Sequence, residues 1–102
     1  MKVYTRSINF NASSDLLDFT QKKVESLIKF HDKIVDAEVF FKVENSSDKE
    51  NKITEIKINI PGNELVVKKQ YKTFEEGVST AVQSLKRRLK KSKEKLRATP
   101  AS

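Results

Sequence analysis

The stretch ITEIKINIPGNELVVKKQY, residues 53–71, decides the fold of this chain. Apolar and polar residues alternate from Ile53 to Ile60, which is the period-two pattern of a strand with one buried face. Pro61, Gly62 and Asn63 follow, and these residue types in succession favour a tight reversal of the chain. A second extended run then follows from Leu65 to Tyr71. The stretch therefore predicts an antiparallel hairpin.

Two more strands and one helix are predicted before this hairpin. Residues 34–44 alternate in the same way, with Phe40 as an apolar exception on the polar side, and residues 2–10 alternate loosely. Between these two strands, apolar residues recur at helical spacing from Leu16 to about residue 30. A polar loop over residues 45–51 leads into the hairpin.

A long helix is predicted after the hairpin. Thr73 is followed by Glu76 at the third helical position, which is the pattern of a capping box. Apolar residues then repeat at spacings of three, four or seven to about Arg97. We expect residues 1–98 to form a single domain and residues 99–102 to be a short disordered tail, since a chain of 102 residues has room for one core.

The predicted order is β-α-β-β-β-α. A strand–helix–strand unit crosses over with right-handed connectivity, which makes the first two strands parallel. Both helices can cover one face of a four-stranded sheet and leave the other face to solvent. The expected fold class is α/β (α+β), a two-layer sandwich.

Composition excludes several classes of function. The chain has no cysteine and a single histidine, His31, so it offers no thiolate or His-rich metal site. We expect no metal, no cofactor, no small-molecule substrate and no catalysis, because no nucleophile and base are placed together. His31 itself is expected to have a surface or capping role at the end of the first helix.

No apolar run reaches the ~18–20 residues of a membrane span, and the N-terminus lacks the features of a signal peptide. We therefore expect a cytoplasmic, monomeric protein without membrane contact.

The net charge of +7 lies entirely at the C-terminus. Residues 1–83 carry 13 basic and 13 acidic side chains, whereas residues 84–102 carry eight basic side chains and one acidic side chain, Glu94. Like charges on one helix repel each other, so a purely structural helix would gain from mixed signs. A neutral body with a local positive field indicates a polyanionic partner, although a solvated helix face is the simpler alternative.

The basic residues surround the apolar side of the predicted last helix. Leu85, Leu89 and Leu96 share that side at about 100° per residue. Eight cations form the predicted RNA-binding set: Lys86, Lys90, Lys93 and Arg97 on one flank, Arg88, Lys91 and Lys95 on the other, and Arg87 on the outer face. Phosphates attract such rows of charge, and arginine can contact one phosphate through two N–H groups. Lys22, Lys23 and Lys29 of the first helix are possible secondary RNA contacts, which solubility explains equally well.

The chain resembles a known family at this point. The order of its elements, its length and the segment LKRRLKKSKEKL, residues 85–96, are similar to the short-form ribosome hibernation promoting factors, also called the ribosome-associated inhibitor or S30AE family. The first helix also has family-like residues at the expected spacing: Leu17, Phe19, Lys23, Leu27, Asp32 and Ile34. At the start of the last helix, Glu75 and Ser79 stand where the family usually has Tyr and Asp.

The resemblance implies a non-catalytic protein that binds the small ribosomal subunit. Its site would be the channel for mRNA and tRNA, against the decoding region of 16S rRNA, where it would inhibit translation during dormancy. The family's rRNA-contacting cations fall on Arg87, Lys91, Lys93 and Lys95. Lys86, Arg88 and Lys90 are additions that rest on the helix pattern.

Two other functions remain open from the residues. A general double-stranded RNA-binding module would also use basic residues to read the shape of a duplex. A protein adaptor would instead use the basic helix to bind an acidic partner.

Overall fold

The computed structural model describes residues 2–44 and 49–98, with side chains of the last helix described as far as Ser92. The predicted tail and the middle of the predicted polar loop lie outside these residues. The elements are β1 (Lys2–Ile8), α1 (Ser14–Glu25), a 3₁₀ helix (Ser26–Lys29), β2 (Asp36–Val43), β3 (Lys52–Ile60), β4 (Asn63–Tyr71) and α2 (Phe74–Ala98). The predicted β-α-β-β-β-α order is confirmed.

The four strands form one mixed sheet in the order β1-β2-β3-β4. β1 and β2 are parallel, as the crossover rule predicts, while β2–β3 and β3–β4 are antiparallel. The β3–β4 hairpin closes at the pair Ile60 and Asn63. Gly62 has a φ of 77°, which is the left-handed conformation that a turn of this kind requires at its second central position.

One face of the sheet forms the core. Ala37, Val39 and Phe41 of β2 pair with Ile58, Ile56 and Thr54 of β3, and all six side chains are fully buried. The helices cover this face, because α2 contacts β3 and β4, while α1 contacts β1 and lies beside α2. Burial of these apolar side chains is the main stabilising contribution to the two-layer packing. The predicted α+β sandwich is therefore the observed fold.

Both helices begin at a side-chain cap. The hydroxyl of Ser13 accepts the backbone N–H of Leu16 at 3.1 Å, and the hydroxyl of Thr73 accepts that of Glu76 at 3.2 Å. Each bond satisfies a donor that has no partner inside its own helix. The Thr73 contact is the one that the capping-box pattern predicts.

An aromatic cluster fixes the start of α2 on the sheet. The ring of Phe74 stacks on Phe10 with centroids 4.7 Å apart, and it makes an edge contact with Phe41 with centroids 4.9 Å apart. Offset stacking and edge contacts are the favourable geometries for aromatic pairs. The basic part of α2 is therefore the continuation of a helix whose first turn is firmly anchored.

His31 is buried rather than at the surface, so the prediction of a surface role is wrong. The residue is 3% exposed, its Nδ1 accepts the backbone N–H of Lys33 at 3.2 Å, and no partner is seen for its Nε2 among the described residues. His31 follows the 3₁₀ helix Ser26–Lys29 and its C-cap Phe30, so it does not stand at the α-helical spacing on which the prediction rested.

Candidate nucleic-acid interface

The basic side chains of α2 lie on either side of a row of buried apolar residues. Leu85 and Leu89 are fully buried against the core, so the intervening and following residues point sideways or outward. Lys86 and Lys90 share the flank that faces the end of the 3₁₀ helix. Their ammonium groups lie 4.7 Å and 5.1 Å from the centre of the Phe30 ring. A cation over an aromatic face at this distance is attracted by the ring, which holds both lysines in place.

Arg88 lies on the opposite flank, over β4. Its Nη1 donates a hydrogen bond of 2.8 Å to the backbone carbonyl of Val66. The two-flank arrangement that the spacing predicts is thus observed for Lys86 and Lys90 on one side and Arg88 on the other. Arg87 and Lys91 are exposed. A guanidinium has five N–H donors, so Arg88 keeps several for an external acceptor.

A groove separates α2 from α1 and the 3₁₀ helix. Its volume is about 240 Å³, and its lining comprises Lys23, Ser26, Lys29, Phe30, Ser79, Val82, Gln83 and Lys86. Three lysines thus converge, one each from α1, the 3₁₀ helix and α2, and the described lining contains no carboxylate. The structure brings Lys23 and Lys29 next to the basic helix, whereas Lys22 is exposed on α1 outside this groove. An anion in the groove would meet positive charge from both sides.

The remaining predicted cations lie on the last turns of α2. Lys93, Lys95 and Arg97 fall within the helix Phe74–Ala98, but their side chains lie outside the described part of the chain. The described basic surface therefore consists of Lys86, Arg87, Arg88, Lys90 and Lys91 on α2 with Lys23 and Lys29 beside it. We refer to these seven residues as the basic surface.

Phe30 is the member of this site that sequence reasoning missed. Its position at the end of a predicted helix suggested only the boundary of that helix. The contact with Lys86 and Lys90 joins residues that are far apart in the chain, and only the packing of the two helices brings them together. The signal available in the sequence was an aromatic residue directly after Lys29, at the end of a lysine-bearing helix.

The face of the sheet that the helices leave uncovered, which we call the open face, has a different charge pattern. Lys57 lies between Glu38 and Glu64, with Nζ–Oε2 distances of 3.6 Å and 3.3 Å. The hydrogen bond to Glu64 and the charges of both carboxylates raise the pKa of Lys57. Lys57 is therefore paired with two carboxylates within the protein, whereas none of the ion pairs found among the described residues involves the basic surface.

The described residues contain neither a membrane-spanning helix nor a metal-ligand cluster. None of the helices there is long and apolar enough to cross a membrane. Across residues 2–44 and 49–98, no three His, Asp or Glu side chains come together as ligands for a metal ion.

Comparison with known proteins places the chain among relatives of the same fold. The family described as Sigma 54 modulation protein / S30EA ribosomal protein matches residues 3–97. A ribosomal subunit interface protein from Coxiella burnetii is similar in structure, with a TM-score of 0.81 and 20% identity over 92% of this chain and 99% of that one. The N-terminal domain of Protein Y from Thermus thermophilus has a TM-score of 0.72 and 21% identity over 89% and 94% of the two chains. No curated protein matches the sequence.

Proposed function

Since the chain belongs to the Sigma 54 modulation protein / S30EA ribosomal protein family, we propose that it is a non-catalytic protein of the cytoplasm that binds the ribosome. Its partner is the small subunit, and its site is the mRNA and tRNA channel beside the decoding region of 16S rRNA. Occupation of that channel excludes mRNA and tRNA, so the bound protein inhibits translation in dormant cells. The basic surface is the observation that carries this proposal.

The basic surface suits the RNA backbone because its charge is one-signed and rigidly held. Leu85 and Leu89 fix the helix to the core, while Arg87 and Lys91 project into solvent. Each cation that neutralises a phosphate releases a condensed counterion, which favours binding most strongly at low salt. Arg87 and Arg88 add the possibility of two parallel N–H bonds to one phosphate.

The groove between the helices extends this contact in a second direction. Lys23 and Lys29 approach from one side and Lys86 from the other. A phosphate that enters the groove is therefore contacted from both sides.

Co-sedimentation with isolated small subunits tests the proposal. Arg87, Lys91 and Lys95 are changed together to Glu, and we expect binding to be lost while the melting temperature stays unchanged. The matched control reverses three exposed lysines outside the basic surface: Lys2, Lys49 and Lys72. This control variant should still bind. Equal binding by both variants would show that the basic surface is not the ribosome contact.

The salt dependence of small-subunit binding gives a second, quantitative test. Six to eight phosphate contacts correspond to a slope of roughly −4 to −7 in log affinity against log salt. A slope near zero would contradict a contact made mainly with phosphates.

An excess of naked duplex RNA distinguishes the proposed function from a general double-stranded RNA-binding module. Co-sedimentation that survives this competitor requires a site built by the ribosome. Loss of the protein to the duplex would instead support the general module.

A further inference from the structure

The open face of the sheet carries a second feature that the basic surface does not explain. We propose that this face is a separate site for single-stranded RNA, which stacks one or two unpaired bases on Tyr4 and Phe40. The site lies on the side of the sheet away from both helices, so it goes beyond the proposed function and does not depend on the basic surface.

Two aromatic side chains lie side by side on this face without a role in the core. Tyr4 of β1 is 53% exposed, and Phe40 of β2 is half-buried. Tyr4 pairs with Glu38, which is two residues before Phe40, so the two rings are diagonal neighbours on adjacent strands. Diagonal neighbours on a sheet face are within reach of aromatic side chains. A planar base can therefore contact both rings.

Phe40 separates two hollows in the sheet surface. The first, of about 300 Å³, is lined by Tyr4, Thr5, Arg6, Glu38, Val39 and Phe40. The second, of about 240 Å³, is lined by Ile8, Phe40, Lys42, Glu44, Ile53, Glu55 and Lys68. The first volume lies at the lower end of the range of small-molecule sites. One base on each side of the Phe40 ring would occupy both hollows.

Cations surround the aromatic pair. Arg6, Phe40, Glu55 and Lys68 form one row across the four strands, and Lys42 lies two residues beyond Phe40 on β2. Arg6, Lys42 and Lys68 can each contact a phosphate on either side of a stacked base. Their positions at the border of the hollows match the alternation of base and phosphate in a single strand.

The acidic residues of this face favour bases over a dense phosphate array. Glu38 is paired with Lys57 at 3.6 Å, so its charge is partly compensated. Glu55 lies between Phe40 and Lys68 in the row and can accept hydrogen bonds from the amino groups of a base. A duplex would bring two charged backbones to this face and hide its bases. A single strand with splayed bases fits both the rings and the charges.

Binding of a fluorescein-labelled hexaribonucleotide, measured by fluorescence anisotropy, tests the site. The parent chain carries Arg87→Glu and Lys91→Glu, which removes phosphate binding by α2 from the measurement. In this parent we expect Tyr4→Ala to weaken hexamer binding about tenfold, since stacking on one aromatic residue has an effect of this order. Tyr4→Phe should retain binding because the ring remains. Val66→Ala, an exposed aliphatic residue on the same face outside both hollows, is the matched control.

The tyrosines of the chain supply an independent signal. The sequence has two tyrosines, Tyr4 and Tyr71, and no tryptophan. In a Tyr71→Phe variant, Tyr4 is therefore the only strong intrinsic fluorophore, and we expect the hexamer to quench it. Unchanged fluorescence at saturating hexamer would overturn the proposal.

Three further outcomes would also overturn it: equal hexamer affinity of the parent and its Tyr4→Ala variant, equal affinity for a duplex of the same length, or loss of small-subunit binding in Tyr4→Ala without loss of hexamer binding. The last result would identify the face as a protein contact. The proposed function is tested separately, by the effect of the charge reversals on α2 on small-subunit binding.

Discussion

Gly77 of α2 lies directly against Thr54 of β3, with no room for a side chain between them. A Cβ atom on Gly77 would be 2.5 Å from Oγ1 and 2.9 Å from Cβ of Thr54. Both residues are buried, and Thr54 Oγ1 has no hydrogen-bond partner among the described atoms. The absence of a side chain at position 77 therefore sets how closely the first turns of α2 approach the sheet.

We expect Gly77→Ala to destabilise the protein by about 1–3 kcal/mol, because the new methyl group forces the helix away from β3. In an exposed helix the same substitution is stabilising by about 1 kcal/mol, so the sign of the effect is diagnostic. Urea unfolding measures it. Ser79→Ala, two residues along the same helix, is the control and should be neutral or slightly stabilising. A stabilised Gly77→Ala variant would contradict the close packing.

The Phe30 ring is expected to couple energetically to Lys86. A double-mutant cycle with Phe30→Leu and Lys86→Met should give a coupling of about 0.5–1 kcal/mol, which is the size of a cation–π contact near the surface. Thermal or urea unfolding of the four proteins provides the measurement. If the effects of the two substitutions simply add, the ring and the ammonium group do not interact in solution.

Arg88 and Lys91 should differ in what they contribute. Arg88→Ala removes the hydrogen bond to the Val66 carbonyl, so we expect a loss of about 1 kcal/mol in stability as well as weaker RNA binding. Lys91→Ala should leave the unfolding free energy unchanged and lower the salt slope of binding by about one phosphate contact. Equal stabilities of the two variants would show that the Arg88 contact is not maintained.

The stabilising effect of the Lys57 ion pairs should depend on pH only in alkaline solution. Because Glu64 and Glu38 raise the pKa of Lys57 in the folded state, its stabilising effect is complete below the ordinary lysine pKa of about 10.4. The effect is lost as the pH rises through the higher, folded-state value. We therefore expect the stability difference between wild type and Lys57→Met to be constant from pH 6 to 9 and to shrink above pH 10. A change between pH 6 and 8 would be inconsistent with these pairs.

The strands and their order could be predicted because their signals are local. Alternation around Ile56 and Ile58, with Pro61 and Gly62 after them, specifies a hairpin without knowledge of anything else in the chain. The bounds of β3 and β4 accordingly lie within two residues of those expected. The end of α1 was harder to predict, since a 3₁₀ turn and an α-helical turn place apolar residues at nearly the same spacing.

Features that depend on contacts between distant elements could not be predicted. Ile53 lies on the open face of the sheet yet is only 8% exposed, and it lines the same hollow as Phe40 and Lys68. The approach of Gly77 to Thr54 likewise depends on the angle between α2 and the sheet. For the candidate site, the composition of α2 indicated which residues are basic, but only the fold shows that Lys23 and Lys29 lie beside them.

The hydrogen bond from Arg88 to Val66 also bears on how this protein behaves at high concentration. β4 is an outer strand, and an outer strand presents backbone groups that can pair with a strand of another molecule. Arg88 donates a hydrogen bond to one of those carbonyl groups and places a positive charge beside it. A second molecule that added a strand here would have to displace the guanidinium and bring its own cations close to it. The side chain thus opposes the addition of a strand at the β4 edge of the sheet.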